Sequence, residues 1–90
     1  MNAKEFQADI EKELRAVIDQ YDRQEIAYEK LQDRFGEINE WANYVAGQFP
    51  RKLKSARDAF QAAKEEAFQT VPIPRPRPED AVRMGWVEEV

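Results

Sequence analysis

Few side chains in this sequence have the chemistry to carry a reaction. There is no histidine and no cysteine, so the usual proton shuttle, thiol nucleophile and soft metal ligands are missing. Ser55 and Thr70 are the only hydroxyl side chains outside tyrosine, and neither stands in a nucleophile elbow or a phosphate-binding loop. Acid pairs such as Glu37 and Glu40 share a helix face, which an exposed helix explains without catalysis. A zinc site would need carboxylates alone, and the Glu-x-x-His pair of diiron bundles is absent. The reading from residues is a non-enzyme with no metal, no cofactor and no small-molecule substrate.

The densest charged group is basic: Arg51, Lys52, Lys54 and Arg57. These residues are candidate contacts for an anionic partner, a phosphate or an acidic protein surface. Arg51, Lys54 and Arg57 follow one another at helical spacing, but Lys52 lies to one side and Asp58 interrupts the patch. In a chain of net charge −4 that argues against nucleic acid. The charge is unevenly spread. Residues 1–49 carry 11 acids and 6 bases, residues 50–78 carry 3 acids and 7 bases, and residues 79–90 carry 4 acids and 1 base. An acidic first half and a basic middle favour docking of one on the other, within a chain or between chains.

The element that positions these groups is an amphipathic stretch over residues 4–49. Apolar or small residues recur at steps of three and four: Phe6, Ile10, Leu14, Val17, Tyr21, Tyr28, Leu31, Phe35, Ile38, Ala42, Val45 and Phe49. Asn2 with Glu5 has the spacing of a capping box at its start. The expected fold is all-α: a helix over 4–47 of about 65 Å, Gly47 ending it as a left-handed cap, and an antiparallel helix over 51–69 beginning at Pro50, together a coiled-coil-like αα-hairpin. The second helix offers a slim face of Leu53, Ala56, Phe60, Ala63 and Ala67, and its natural mate is Leu31, Phe35, Ile38, Ala42 and Val45.

Residues 21–25 are the ambiguous point. Asp22 and Glu25 are spaced for a capping box, which would split the long helix. No Gly or Pro marks a break, and Tyr21 to Tyr28 is one heptad with Gln24 at the middle core position. The continuous helix is favoured. It leaves Phe6, Ile10, Leu14, Val17 and Tyr21 uncovered, so this stripe is expected to be an interface with a second copy or a larger protein. The alternative is a break near Asp22 and a three-helix bundle.

Trp41 and Tyr44 widen the apolar face near the helix end and are further interface candidates. From Thr70 onward, prolines at 72, 74, 76 and 78 exclude helix and predict an extended strap of roughly 20 Å. A short helical turn begins at Pro78, and the strap delivers Val82 and Trp86 as a C-terminal anchor. The domain reading is therefore a hairpin over 1–69 and a strap over 70–90.

The N-terminus lacks an apolar signal core, and no stretch approaches the roughly 20 apolar residues of a membrane span. A cytoplasmic protein with no membrane contact is expected. No family resemblance stands out. By architecture alone, a helical hairpin of this size suits secretion-system hairpins, phage accessory proteins, small inhibitors and assembly adaptors. The leading functional expectation is an interaction or assembly module acting through the 6–21 stripe. An inhibitor or regulator that occludes a surface of a larger complex is the alternative.

Overall fold

The computed structural model describes residues 1–85 and is all-α. Asn2 opens α1 (Ala3–Asp22) with a capping box: its side-chain oxygen accepts the Glu5 N–H at 2.8 Å, and the Glu5 carboxylate accepts the Asn2 N–H. After residues 23–27 the chain returns as α2 (Tyr28–Gly47). A single 3-10 turn (Arg51–Leu53) leads into α3 (Lys54–Thr70), and residues 71–77 run without regular structure into α4 (Pro78–Arg83).

The expected continuous helix over 4–47 is therefore two helices. The break is a Schellman closure made without glycine. The Gln24 N–H donates to the Tyr21 carbonyl at 3.0 Å and the Glu25 N–H to the Gln20 carbonyl at 2.8 Å, the two bonds that define this motif. Its left-handed position falls on Gln24, at φ 61°. That conformation costs a non-glycine residue about 1–2 kcal/mol. Gln24 is thus an exposed turn residue and not a polar residue in the core. Asp22 and Glu25 do not cap α2, whose N-cap is Ala27 with no side-chain hydrogen bond. Ile26, one residue before that cap and five before Leu31, has the spacing of a hydrophobic staple and packs against the core. Gln24→Gly is expected to raise stability by up to about 1 kcal/mol in a denaturant titration, because relief of the left-handed strain outweighs the added freedom of the unfolded chain. A loss of stability would contradict the turn geometry.

The turn folds α2 back along α1, and α3 completes a three-helix bundle. Phe6 touches Trp41 and Phe60, at ring-centroid distances of 5.6 and 4.9 Å. Those contacts join the start of α1, the end of α2 and the start of α3, so α1 and α3 run parallel with α2 antiparallel to both. The most extensive contact of α3 is with α1, not with the α2 face expected as its mate. Its alanines explain this: Ala63 and Ala67 are buried, and such small residues let the two helices approach closely. The α2–α3 contact is carried by Phe35 against Phe68 at 6.3 Å and by Lys64 Nζ donating to Asn43 Oδ1 at 2.7 Å. Gly36 lies on the surface with open space around it.

Two smaller boundaries also differ. Gly47 is the last residue of α2 and has no left-handed conformation; the cap is Gln48 at φ −75°. Pro50 stands at the N-cap of the 3-10 turn and not inside α3. Leu53, expected on the buried face of α3, is 47% exposed because it belongs to that turn.

Candidate interaction surfaces

Each residue of the 6–21 stripe is buried by the chain's own helices. Phe6, Ile10 and Leu14 are fully covered, and Val17 and Tyr21 nearly so. The uncovered stripe was a consequence of the continuous helix. Once the chain turns at Gln24, α2 and α3 supply the cover that a second molecule was expected to give. Reaching this stripe from outside would require opening the bundle.

The two ends of the bundle differ. At the distal end, where α1 stops and α2 starts, the segment after α3 folds over the turn. Val71 is buried, and the Tyr28 hydroxyl donates to the Pro74 carbonyl at 2.8 Å. Asp80, at the third position of α4, is only 5% exposed and is the sole buried charged residue among those described. Its Oδ2 accepts the Tyr21 hydroxyl and the Arg77 N–H, the latter at 3.3 Å. Its Oδ1 accepts Arg83 Nη2 at 3.0 Å, and the same guanidinium reaches Glu29 Oε1 at 2.8 Å. The Arg77 guanidinium lies 4.8 Å from the Tyr21 ring centre and 3.6 Å from Asp22. A buried carboxylate is tolerable only when its oxygens are satisfied in this way.

The electrostatics follow from these contacts. The Tyr21 hydroxyl is the main cause holding the Asp80 carboxyl below the usual carboxylate range; burial opposes it, and the Arg77 N–H and Arg83 reinforce it. Burial foremost, and then the bond to Asp80, push the Tyr21 hydroxyl up. We refer to the group as the latch. Sequence reasoning missed Asp80, Arg77, Arg83 and Glu29. Val82, expected to be delivered to an apolar patch, is 43% exposed, while Ala81 and Met84 turn inward. Trp86, expected as the anchor, lies outside the described residues.

The other end is open. Met1, Val45, Gln48, Phe49, Pro50 and Phe60 line an apolar groove of about 320 Å³. Around it Met1 is 70% exposed, Tyr44 67% and Leu53 47%. Arg51 and Lys52 follow Pro50 on the exposed 3-10 turn, while Arg51, Lys54 and the half-buried Arg57 line a separate groove of about 420 Å³ with Asp58 and Gln61. Lys54 pairs with Asp58 at 2.7 Å in its own helix. Arg51, Lys52 and Arg57 have no ion pair among the described residues. The basic segment is expected to face acids of the first half of the chain or of a second copy; within the chain, none of its bases pairs with an acid of residues 1–49 among the described residues. Trp41, 42% exposed, continues the apolar surface up the α1–α2 side, where Asp9, Lys12, Glu13, Arg34, Glu37 and Ile38 line a second groove of about 430 Å³ with it.

Among the described residues no three His, Cys, Asp or Glu side chains gather in a way that could hold a metal ion. No helix there is long and apolar enough to cross a membrane. Set against known families, curated proteins and solved structures, the chain matches none.

Proposed function

We propose that the protein is a non-enzymatic helical interaction module that docks through the open end of its bundle. The partner is a protein segment carrying acidic side chains around an apolar knob. The observation that carries this reading is the apolar groove at Val45, Phe49, Pro50 and Phe60, followed directly in the chain by Arg51 and Lys52, two exposed bases without an acidic partner among the described residues. The surface combines what a specific contact needs: an aromatic-lined cleft for an anchor and a charged rim for steering and register. Tyr44 and Trp41 extend the contact along α2. The 6–21 stripe has no part in it, since its residues hold the bundle together.

The proposal is tested with a synthetic peptide in which glutamates flank tryptophan and leucine, titrated against the full chain by fluorescence polarisation. Binding that weakens steeply with salt, and falls at least about tenfold in the Arg51→Glu/Lys52→Glu variant, is the expected result. Both positions are exposed, so the helical circular dichroism of the variant should match the parent. Equal binding by parent and variant would overturn the assignment of the open end.

A further inference from the structure

Resting on that reading of the open end, we infer that its occupant is residues 86–90 of a second copy of this chain, so that the protein assembles head to tail. The segment is Trp86-Val87-Glu88-Glu89-Val90: one large aromatic, two aliphatic side chains, two carboxylates and no base. It has the composition that the groove and its basic rim select. Trp86 supplies the knob for the cleft between Val45, Phe49 and Phe60, and Glu88 and Glu89 supply the charges that Arg51 and Lys52 lack.

Geometry favours a second copy. The latch ties Arg83 to Glu29, the second residue of α2, at the distal end. Val45, in the wall of the groove, lies sixteen residues further along α2, which is about 24 Å at helical rise. Trp86 is three residues past Arg83, a reach of about 10 Å even when fully extended. With the latch closed, so short a backbone tether favours the groove of a second molecule over its own. The distal end therefore carries the ligand and the open end carries its receptor. A contact of this kind is heterologous, joining different surfaces of the two copies, and each copy added leaves one groove and one tail unfilled unless a ring closes. A five-residue segment buries far less than the roughly 1,200 Å² of a stable interface, so the association is weak and concentration-dependent.

The test is the mass of the full chain by sedimentation or light scattering across a concentration series at low salt. Mass that rises with concentration is expected, and Trp86→Ala should weaken the association about 30-fold. Two charge reversals then give the decisive comparison: Arg51→Glu/Lys52→Glu in the groove rim and Glu88→Lys/Glu89→Lys in the tail. Each alone should be monomeric, and an equimolar mixture should associate again, because the tail of each then matches the rim of the other. A parent chain that stays monomeric, an association indifferent to Trp86→Ala, or a mixture that stays monomeric each overturns the inference. If the parent is monomeric yet still binds the acidic peptide through Arg51 and Lys52, the open end remains a docking site for another protein and only the self-pairing fails. If peptide binding is indifferent to the rim reversal, the docking site itself fails.

Discussion

Leu14→Ala is expected to cost about 2–5 kcal/mol, the range for removing a fully buried leucine. Leu14 sits near the middle of α1 with none of its surface exposed, in the cluster that includes Ile10, Val17, Leu31 and Ala67. Small domains have only about 5–15 kcal/mol of stability in total. The loss should therefore lower Tm by about 10 °C or more, with a matching shift in the denaturant midpoint. Ile10→Asp places a carboxylate among the same residues with no partner and should abolish the fold. Were the stripe instead a contact between molecules, these variants would lose mass in solution while keeping their helicity and Tm. That outcome would contradict the bundle.

The second large effect is expected at the latch. Tyr21→Phe removes the hydroxyl that Asp80 accepts and should cost about 1–3 kcal/mol, the range for a hydrogen bond to a charged group and the group it leaves unsatisfied. Asp80→Ala should cost more, because it takes away the acceptor for Tyr21, the Arg77 N–H and Arg83 together. The pH dependence has a definite sign. The Asp80 carboxyl is lowered in the fold, so its contribution is present above the ordinary carboxylate value of about 4 and is lost as pH falls through the lowered value. The Tyr21 hydroxyl is raised, so its contribution is present below about 10 and is lost as pH rises through the raised value. With no histidine in the chain, stability should be nearly flat from about pH 5 to 9. In the Asp80→Ala/Tyr21→Phe double variant the acid-side dependence should shrink. An unchanged acid limb would mean that the latch does not couple residues 71–85 to the bundle.

The residues of the core were legible because helical periodicity marks the face that must be buried. Phe6, Ile10, Leu14, Val17, Tyr21, Tyr28, Leu31, Phe35 and Ala42 all lie on that face and all are buried. Periodicity does not say what covers them. The break near Asp22 ranks only as the alternative for a specific reason: its left-handed position holds Gln24, where a glycine would have announced it. Tyr21 and Tyr28, one on each side, pack edge-on with ring centres 5.6 Å apart. A seven-residue separation that spans a turn thereby imitates a heptad. The available signal was Ile26, an apolar residue out of phase with the stripe but correctly placed to staple a new helix start. Other local features could be read directly, such as the Asn2–Glu5 box and Pro78 at the first position of α4.

The latch illustrates the opposite case. Tyr21 and Asp80 are 59 residues apart, and nothing in their spacing connects them. Only the fold brings a buried carboxylate to a tyrosine already assigned to the core. The open end was half visible. Arg51, Lys52, Lys54, Arg57, Trp41 and Tyr44 stood out by type, but Met1, Phe49 and Leu53 acquire meaning only when the start of α1 meets the turn between α2 and α3.

The chain reverses at Gln24 and covers its own stripe. The most direct measurement is the distance between spin labels at Lys4→Cys and Gln48→Cys in the otherwise cysteine-free chain, both exposed positions. In the bundle both lie near the open end, on helices packed at about 8–10 Å, and the distribution should centre at about 20 Å or less. A continuous helix over the same residues would separate them by about 65 Å. A distance in that range would contradict the bundle and return the 6–21 stripe to the surface.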